Sequence, residues 1–215
     1  MNQQHEYIGT RKLLIGIVLA VITFWLFANS LINVIPNLQT SFGSYLSTIS
    51  IAVSLTALFC GMFVVGAGSL ADYFGRVRLT IIGLWLNIFG SLLIIVSDYI
   101  PLLLMGRAIQ GLSAALIMPA TLSLIKAYYH GDKRQRALSL WSIGSWGGSG
   151  FASLFGGMIA TFLSWRWIFV FSIIVPLIAV LLIKGTPESK NQHASSRQFD
   201  IVGLILLVVM MLSLN

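Results

Sequence analysis

The stretch Gly68-Ser69-Leu70-Ala71-Asp72-Tyr73-Phe74-Gly75-Arg76-Val77-Arg78 places one acid, two arginines and two glycines between two long apolar runs. A polar link of this size predicts two antiparallel neighbouring helices that are joined by a tight turn. We expect Gly68 and Gly75 to adopt backbone angles that a residue with a Cβ atom resists. Arg76 and Arg78 then lie near the carbonyl end of the incoming helix, and Asp72 lies near donors at the start of the outgoing helix. The alternative is an ordinary charged loop of a membrane protein.

The composition is that of an integral membrane protein. Of the 215 residues, 57% are hydrophobic and only 9% are charged, whereas about 25% of a soluble domain is charged. The formal net charge of +7 does not indicate a nucleic-acid partner, because the basic residues are scattered between apolar runs. Cys60 is the single cysteine, which excludes an intrachain disulfide and a cysteine-based metal site.

Six apolar runs are long enough to cross a bilayer, which takes about 20 helical residues. The predicted spans are Leu13–Ile35, Ser47–Leu70, Leu79–Ser97, Leu102–Ala127, Leu138–Phe162 and Trp167–Ile183. A seventh run, Ile201–Leu214, is too short to span by itself. We therefore expect a six-span bundle over residues 1–184, a linker over 185–200 and the truncated start of a seventh helix over 201–215. Pro187 and the mixed polar and charged residues after it are typical of a flexible connector.

The basic residues predict the orientation of the chain. Nearly all of the 13 lysines and arginines precede the first span or follow an even-numbered span. The loops after odd-numbered spans hold only Arg166, and Arg107 lies inside the fourth span. Because lysine and arginine favour the inner side of a membrane, we expect the N-terminus and the linker to be cytoplasmic, in a multi-pass plasma-membrane protein.

Arg107 is the most informative residue within a span. An arginine in mid-span costs about 2.5–3.5 kcal/mol on insertion scales, so we expect it to face protein or a water-filled cavity. Its neighbours on the same helix face are small or polar: Gln110, Gly111, Ala114 and Met118. An ionisable residue in a span is a functional hypothesis by default. The alternative is a structural arginine that bonds to helix carbonyls.

The fifth span carries small residues at every fourth position. Gly144, Gly148, Ala152 and Gly156, with Gly157 beside them, predict a smooth stripe along one side of the helix. Such stripes let two helix backbones lie close together. The alternative is plain helix packing with no part in transport.

Several side chains in the spans are candidates for lining a substrate site: Trp25, Asn29, Asn33, Met118, Trp141 and Trp146. The aromatic members offer flat apolar faces, although aromatic residues in spans also pack or face lipid. Asn29 and Asn33 can hydrogen-bond to a substrate but do not titrate near neutral pH. All six acids lie outside the predicted spans. No Ser/His/Asp set and no histidine pair with metal spacing is present, so we expect neither an enzyme nor a cofactor.

Three motifs resemble the major facilitator superfamily. The stretch around Asp72 resembles the loop between spans 2 and 3 of that family, G-x-L-A-D-x-x-G-R, with matches at Gly68, Gly75 and Arg76. The window from Leu103 to Ala115, with Arg107, Gln110 and Gly111 at its centre, resembles the span-4 motif of its proton-coupled members. Residues 148–157 are similar to the antiporter motif of drug:proton exchangers, except that Ala-Ser replaces its central Gly-Pro. The resemblance implies an all-α membrane protein that is the six-helix N-terminal half of the fold, built from two inverted three-helix repeats.

The resemblance also implies a function, which is proton-coupled export of quinolones or other amphipathic drugs in the 14-span antiporter branch. In that family the arginine of the span-4 motif couples protons to substrate, which suggests this role for Arg107 with Gln110 and Gly111. The loop residues Gly68, Asp72, Gly75, Arg76 and Arg78 would control conformation against a missing C-terminal half. Because only one half is present, we expect this chain to be inactive alone. The rival class is a membrane protein that does not transport, such as a fragment, a scaffold or a regulatory half.

The predicted topology can be tested by labelling. With Cys60 replaced, single cysteines at Tyr45 and Gln135 should react in opposite ways with a membrane-impermeant thiol reagent on intact cells. We expect Tyr45→Cys to label and Gln135→Cys to stay unlabelled, because the basic residues hold the loop after span 4 inside. The reverse pattern would overturn the orientation.

Overall fold

The computed structural model describes residues 7–190 together with Gly203 and Met210, and every element in these residues is helical. The elements are α1 (Arg11–Ser30), a 3₁₀ turn (Leu31–Val34), α2 (Ile35–Phe42), α3 (Leu46–Phe74), α4 (Arg76–Ile95), α5 (Ile100–Tyr128), α6 (Gly131–Ser142), a π turn (Ile143–Gly147), α7 (Gly148–Phe162) and α8 (Arg166–Ile183). The predicted linker beyond Lys190 and the predicted seventh run, apart from Gly203 and Met210, lie outside the described residues. The all-α membrane class predicted from the sequence is confirmed.

Each of the six predicted spans falls on helical chain, except that Leu79–Ser97 extends two residues beyond the end of α4. Among the described residues, five helical segments are long and apolar enough to cross a membrane: Arg11–Phe42, Leu46–Phe74, Arg76–Ile95, Ile100–Tyr128 and Arg166–Ile183. The first of these is interrupted by the 3₁₀ turn and resumes as α2, where Pro36 occupies the first turn. Proline has no N–H to donate, so an intact α-helix would be broken at this point.

The fifth predicted span, Leu138–Phe162, is built differently. It is composed of α6, the π turn and α7, which have 12, 5 and 15 residues. None of these pieces spans a bilayer by itself, but the backbone stays in the right-handed helical region at both junctions. The three pieces therefore form one continuous rod with a local widening at Ile143–Gly147. Such widenings are frequent at functional sites.

The link between α3 and α4 is shorter than the sequence predicts. Helix α3 continues through Phe74, so Gly68 lies within a helix and the expectation of a special backbone angle there is wrong. The link is Gly75 alone, with a φ of 118°, which L-amino acids rarely adopt. The Gly75 N–H donates to the Ala71 carbonyl at 3.1 Å and ends α3, and α4 starts at the next residue.

Helix α5 lies at the centre of the bundle. It packs against α3 on one side and α4 on another, while α8 packs against α4 and α1, and α7 packs against α1. A Cβ atom at Gly90 would lie 2.9 Å from the Gly106 carbonyl oxygen, and one at Gly111 would lie 2.5 Å from the Thr56 carbonyl oxygen. Both distances are too short for a carbon–oxygen contact. The helices therefore cross with their backbones in direct contact.

The stripe of small residues on α7 faces α1. A Cβ atom at Gly156 would lie 2.7 Å from the Ser30 carbonyl oxygen, and one at Gly148 would lie 3.2 Å from the Trp25 Cβ. The Ser30 hydroxyl donates to the Ala152 carbonyl at 3.1 Å across this contact. A Cβ atom at Gly157 would meet nothing within 4 Å in the described part of the chain, so Gly157 is not part of the packing stripe to which the sequence assigned it. It points away from α1 because it follows Gly156 by one residue, which turns its position on the helix by about 100°.

The stripe predicts how α7 responds to larger side chains. We expect Gly148→Leu and Gly156→Leu to lower the free energy of unfolding by at least about 1–3 kcal/mol, because the added atoms overlap with α1. The control is Gly150→Leu, since a Cβ atom at Gly150 meets nothing within 4 Å among the described residues. Thermal unfolding of the purified variants in detergent measures the difference. Equal tolerance at the three positions would contradict close packing of α7 on α1.

Candidate functional site

The side chain of Arg107 joins three helices inside the bundle. It is 1% exposed, and its Nε donates to the Ala52 carbonyl of α3 at 3.1 Å. Its Nη1 donates to Gln110 Oε1 at 2.9 Å. Its Nη2 makes longer contacts, at 3.4 Å to the Val53 carbonyl and 3.5 Å to the Ala28 carbonyl of α1. The expectation that Arg107 faces protein is met.

The partners of Arg107 within the described residues are all uncharged. The two ion pairs found there, Arg76 with Asp72 and Arg166 with Asp98, lie at helix ends. Within the described part of the chain, carbonyl and amide dipoles therefore stabilise the guanidinium charge. A buried charge without a counter-charge is costly unless it is well hydrogen-bonded. This geometry is the one that the structural-arginine alternative predicts, and a coupling role for Arg107 stays a prediction.

A polar layer surrounds Arg107 and separates two apolar clusters. One cluster contains Leu13, Ile117 and Ile183, and the other contains Phe27 and Leu103. The polar layer contains Arg107, Gln110, Ser91, Asn87 and Ser172, all buried. The Gln110 Nε2 donates to Ser91 Oγ on α4 at 2.9 Å, so the site extends from α5 towards α4.

Gly111 and Met118 lie on the same helix as Arg107. At Gly111 the backbone of α3 lies too close for a side chain, and the Thr56 hydroxyl donates to the Arg107 carbonyl at 3.1 Å. Gly111 thus places the α3 carbonyls near the guanidinium. Met118 is half-buried, two turns beyond Gly111.

Three of the candidate substrate-lining residues come together between α1 and the π turn. The rings of Trp25 and Trp146 are stacked, with centroids 6.0 Å apart and an interplanar angle of 23°. Asn29 Nδ2 donates to the Trp25 carbonyl at 2.9 Å and to Ser149 Oγ at 3.3 Å. The Trp146 side chain is 74% exposed. The Nε1 of Trp25 is buried and has no hydrogen-bond partner in the described part of the chain.

Besides Met118, two further candidates lie elsewhere. Asn33 is exposed on the 3₁₀ turn. Trp141 is on α6, and its Nε1 donates to the Thr121 hydroxyl of α5 at 3.1 Å. These residues were predicted to line a substrate site because they are aromatic or amide side chains within spans. The structure does not place them against the stacked tryptophans.

The loop motif at Asp72 is assembled together with residues that follow α8. Arg76 donates from Nε and Nη2 to Asp72 Oδ1 at 3.0 and 2.8 Å, and from Nη1 to Ser189 Oγ at 3.2 Å. The Glu188 carboxylate accepts from the backbone N–H groups of Val77 and Arg78, both at 2.9 Å. Glu188 therefore caps the N-terminus of α4.

Sequence reasoning missed the role of Glu188 and left it in the linker. The first turn of α4 contains no acid and two arginines, which is the opposite of what a helix N-terminus favours. That imbalance is a usable signal, because it implies that an acid from another segment satisfies the free N–H groups. The sequence does not say which acid this is.

Comparisons with known proteins agree with this architecture. The family model described as Major Facilitator Superfamily matches residues 13–213. The chain is 68% identical over 207 residues to "Quinolone resistance protein NorB" of Staphylococcus aureus, for example in strains Newman and MRSA252, which covers 96% of this chain and 45% of that protein. The chain thus spans about half the length of the curated relatives it matches.

Solved structures show the same fold at low sequence identity. A crystal structure of a D-xylose-proton symporter matches with a TM-score of 0.72 at 15% identity, over 95% of this chain and 53% of that chain. A peptide transporter in complex with sulfate matches with a TM-score of 0.71 at 16% identity, over 97% of this chain and 47% of that chain. The half-transporter fold predicted from the motifs is confirmed.

The capping contact of Glu188 can be tested by substitution. We expect Glu188→Ala to lower the free energy of unfolding by about 0.5–2 kcal/mol, the usual cost of losing a helix cap. The amide hydrogens of Val77 and Arg78 should also exchange faster, because they lose their acceptors. Lys190→Ala is the control, since Lys190 is exposed and outside this contact. Unchanged exchange at both amides in Glu188→Ala would rule out the cap.

Proposed function

Because the chain belongs to the Major Facilitator Superfamily, we propose that it is the N-terminal half of an exporter that exchanges quinolones or other amphipathic drugs for protons. The carrying observation is the buried guanidinium of Arg107, which joins α1, α3 and α5 through uncharged acceptors. A charge in a bilayer-spanning helix is costly, so such residues mark ion or substrate pathways. The name of the relative from Staphylococcus aureus supports quinolones as the substrate class.

The positive charge of Arg107 is the proposed contribution of this half to the coupling of protons and drug. It supplies a fixed cation in the polar layer, with Gln110 and Gly111 holding it in place. The described acids lie at helix ends and loops, as Asp72, Asp98, Asp132 and Glu188 do. The group that takes up and releases the proton then belongs to the second half or to the drug. Protonation of such a group changes its attraction to the guanidinium, which links proton movement to substrate movement.

The stacked tryptophans are the proposed drug contact of this half. Trp146 and Trp25 present aromatic surface to a planar ring system. Asn29 lies beside them and adds a neutral amide. Asn33, Met118 and Trp141 are proposed to line the remaining drug path.

The loop motif is the proposed conformational element. Gly75 makes the turn, while Asp72 and Arg76 pair across it. We place this loop, with Gly68 and Arg78, in the cytoplasm at the contact with the second half, in a plasma-membrane protein whose N-terminus is cytoplasmic. The stripe Gly144, Gly148, Ala152 and Gly156 serves helix packing. No cofactor, catalytic reaction or nucleic-acid partner is part of the proposal.

A membrane fragment without transport activity is the second candidate. It is favoured by the hydrogen bonds of Arg107 to helix carbonyls, which a structural arginine would also make. Alternating access needs two halves that rock around a central site. A single half has no counterpart for its loop motif.

Transport by the chain joined to a second half separates these candidates. We expect vesicles that contain only this purified chain to show no drug efflux driven by a proton gradient. The same chain joined to the second half of the Staphylococcus aureus relative should show efflux, and this fusion is the positive control. Efflux by the chain alone would refute the need for a second half, and an inactive, well-folded fusion would refute the proposed function.

Arg107 is tested in the active fusion. Arg107→Ala should abolish efflux while the amount of protein in the membrane stays unchanged, because the coupling charge is lost. Arg107→Lys should restore only part of the activity, since lysine keeps the charge but lacks the planar fork of donors. Drug efflux and immunoblotting of membranes measure the two effects, with Arg136→Ala on the exposed face of α6 as the control. Normal efflux by Arg107→Ala would show that the arginine is structural.

A further inference from the structure

We propose that Ser91, Ser172 and Asn87 are positioning residues that hold the Gln110 amide in the one orientation in which its oxygen faces Arg107. They form a relay of hydrogen bonds from α8 through α4 to α5. Each of its members is at most 5% exposed. The relay links Arg107 to α8. Among the described residues, the guanidinium donates no hydrogen bond directly to a side chain of α8.

The contacts of this relay follow one another across three helices. On α8, the Ser172 carbonyl and hydroxyl oxygens accept from Asn87 Nδ2 at 2.8 and 3.0 Å. The Ser91 hydroxyl of α4 donates to Ser172 Oγ at 3.1 Å. Ser91 Oγ in turn accepts from Gln110 Nε2 at 2.9 Å. The last bond runs from Arg107 Nη1 to Gln110 Oε1 at 2.9 Å.

The direction of these bonds decides how the amide of Gln110 is turned. The Ser91 hydroxyl bonds to Ser172 Oγ, and its oxygen accepts from the amide nitrogen of Gln110. The amide oxygen must then point the other way, toward the guanidinium. The reversed amide would place two donors against each other at Arg107, which has no acceptor to offer. Buried donors without acceptors are strongly disfavoured.

The relay lies at a close crossing of α4 and α5. Ser91 follows Gly90, where a Cβ atom would lie 2.9 Å from the Gly106 carbonyl oxygen and 3.0 Å from Gln110 Cγ. This crossing brings Ser91 within reach of Gln110 and leaves the amide little room to turn. A shift of α4 or α8 would break the relay and leave the Gln110 amide, the acceptor of Arg107 Nη1, without its Ser91 partner.

The consequence for transport rests on the proposed function of Arg107. If the guanidinium couples protons to drug, its hydrogen bonding depends on α8 through Gln110, Ser91 and Ser172. The relative position of α4 and α8 would then affect the coupling site through the relay.

The test measures the guanidinium of Arg107 directly by NMR. The purified chain is labelled with ¹⁵N-arginine in nanodiscs, and the Arg107 signals are assigned by their loss in Arg107→Lys. In Ser91→Ala and, separately, in Ser172→Ala, we expect the Arg107 side-chain N–H protons to exchange at least about tenfold faster, because a hydrogen bond to a charged group is lost or weakened. Gln110→Leu should give the same acceleration, and Ser91→Ala should add nothing to it.

The matched control is Ser113→Ala. Ser113 is a buried serine on α5 that donates to the Gly83 carbonyl of α4 at 2.7 Å, at the same helix pair but outside the relay. Its loss should leave the Arg107 exchange rate unchanged. Unchanged exchange in both relay variants, or equal acceleration in Ser113→Ala, overturns the relay. The measurement does not depend on transport, so an inactive fusion refutes the proposed function and leaves the relay standing.

Discussion

Direct contact between helix backbones is the constraint on which the rest of this structure depends. Glycines at positions 90, 106, 111 and 156 occupy places where a Cβ atom would overlap a carbonyl oxygen of the facing helix. Because α3 lies this close to α5 at Gly111, its carbonyls reach the Arg107 guanidinium. Because α4 lies this close at Gly90, Ser91 reaches Gln110. The polar layer is thus a result of the packing.

Close backbone contact is also what holds helices together in a bilayer, because lipid is as apolar as the helix side chains and leaves no hydrophobic driving force between helices. In lipid, helices associate through close van der Waals contact and interhelical hydrogen bonds. Here the two occur together, since Ser30 bonds to Ala152 beside Gly156, and Thr56 bonds to the Arg107 carbonyl beside Gly111. A buried cation is tolerated because fixed carbonyl dipoles surround it. In the proposed exporter, movement of the helices would change the carbonyl groups that surround the Arg107 guanidinium.

Features that repeat along one helix could be predicted from the sequence, and features that depend on a distant segment could not. The spans, the polar face at Arg107 and the stripe from Gly144 to Gly156 follow from hydrophobicity and helical periodicity. Gly68 and Gly157 look like their neighbours in sequence, but their surroundings in the fold differ. Glu188 and Ser172 act on α4 from more than 80 residues away in the chain, and no local pattern indicates such contacts.

The most direct test of this account is the Arg107 guanidinium signal in Gly111→Ala. The added methyl group pushes α3 away from α5, so the carbonyls of Ala52 and Val53 should move out of reach and the Arg107 side-chain N–H protons should exchange faster. Gly68→Ala is the matched control on α3, because its Cβ would meet only Pro119 at an ordinary 3.8 Å among the described residues. The account predicts faster exchange in Gly111→Ala and no change in Gly68→Ala. An unchanged exchange rate in a folded Gly111→Ala variant would contradict it.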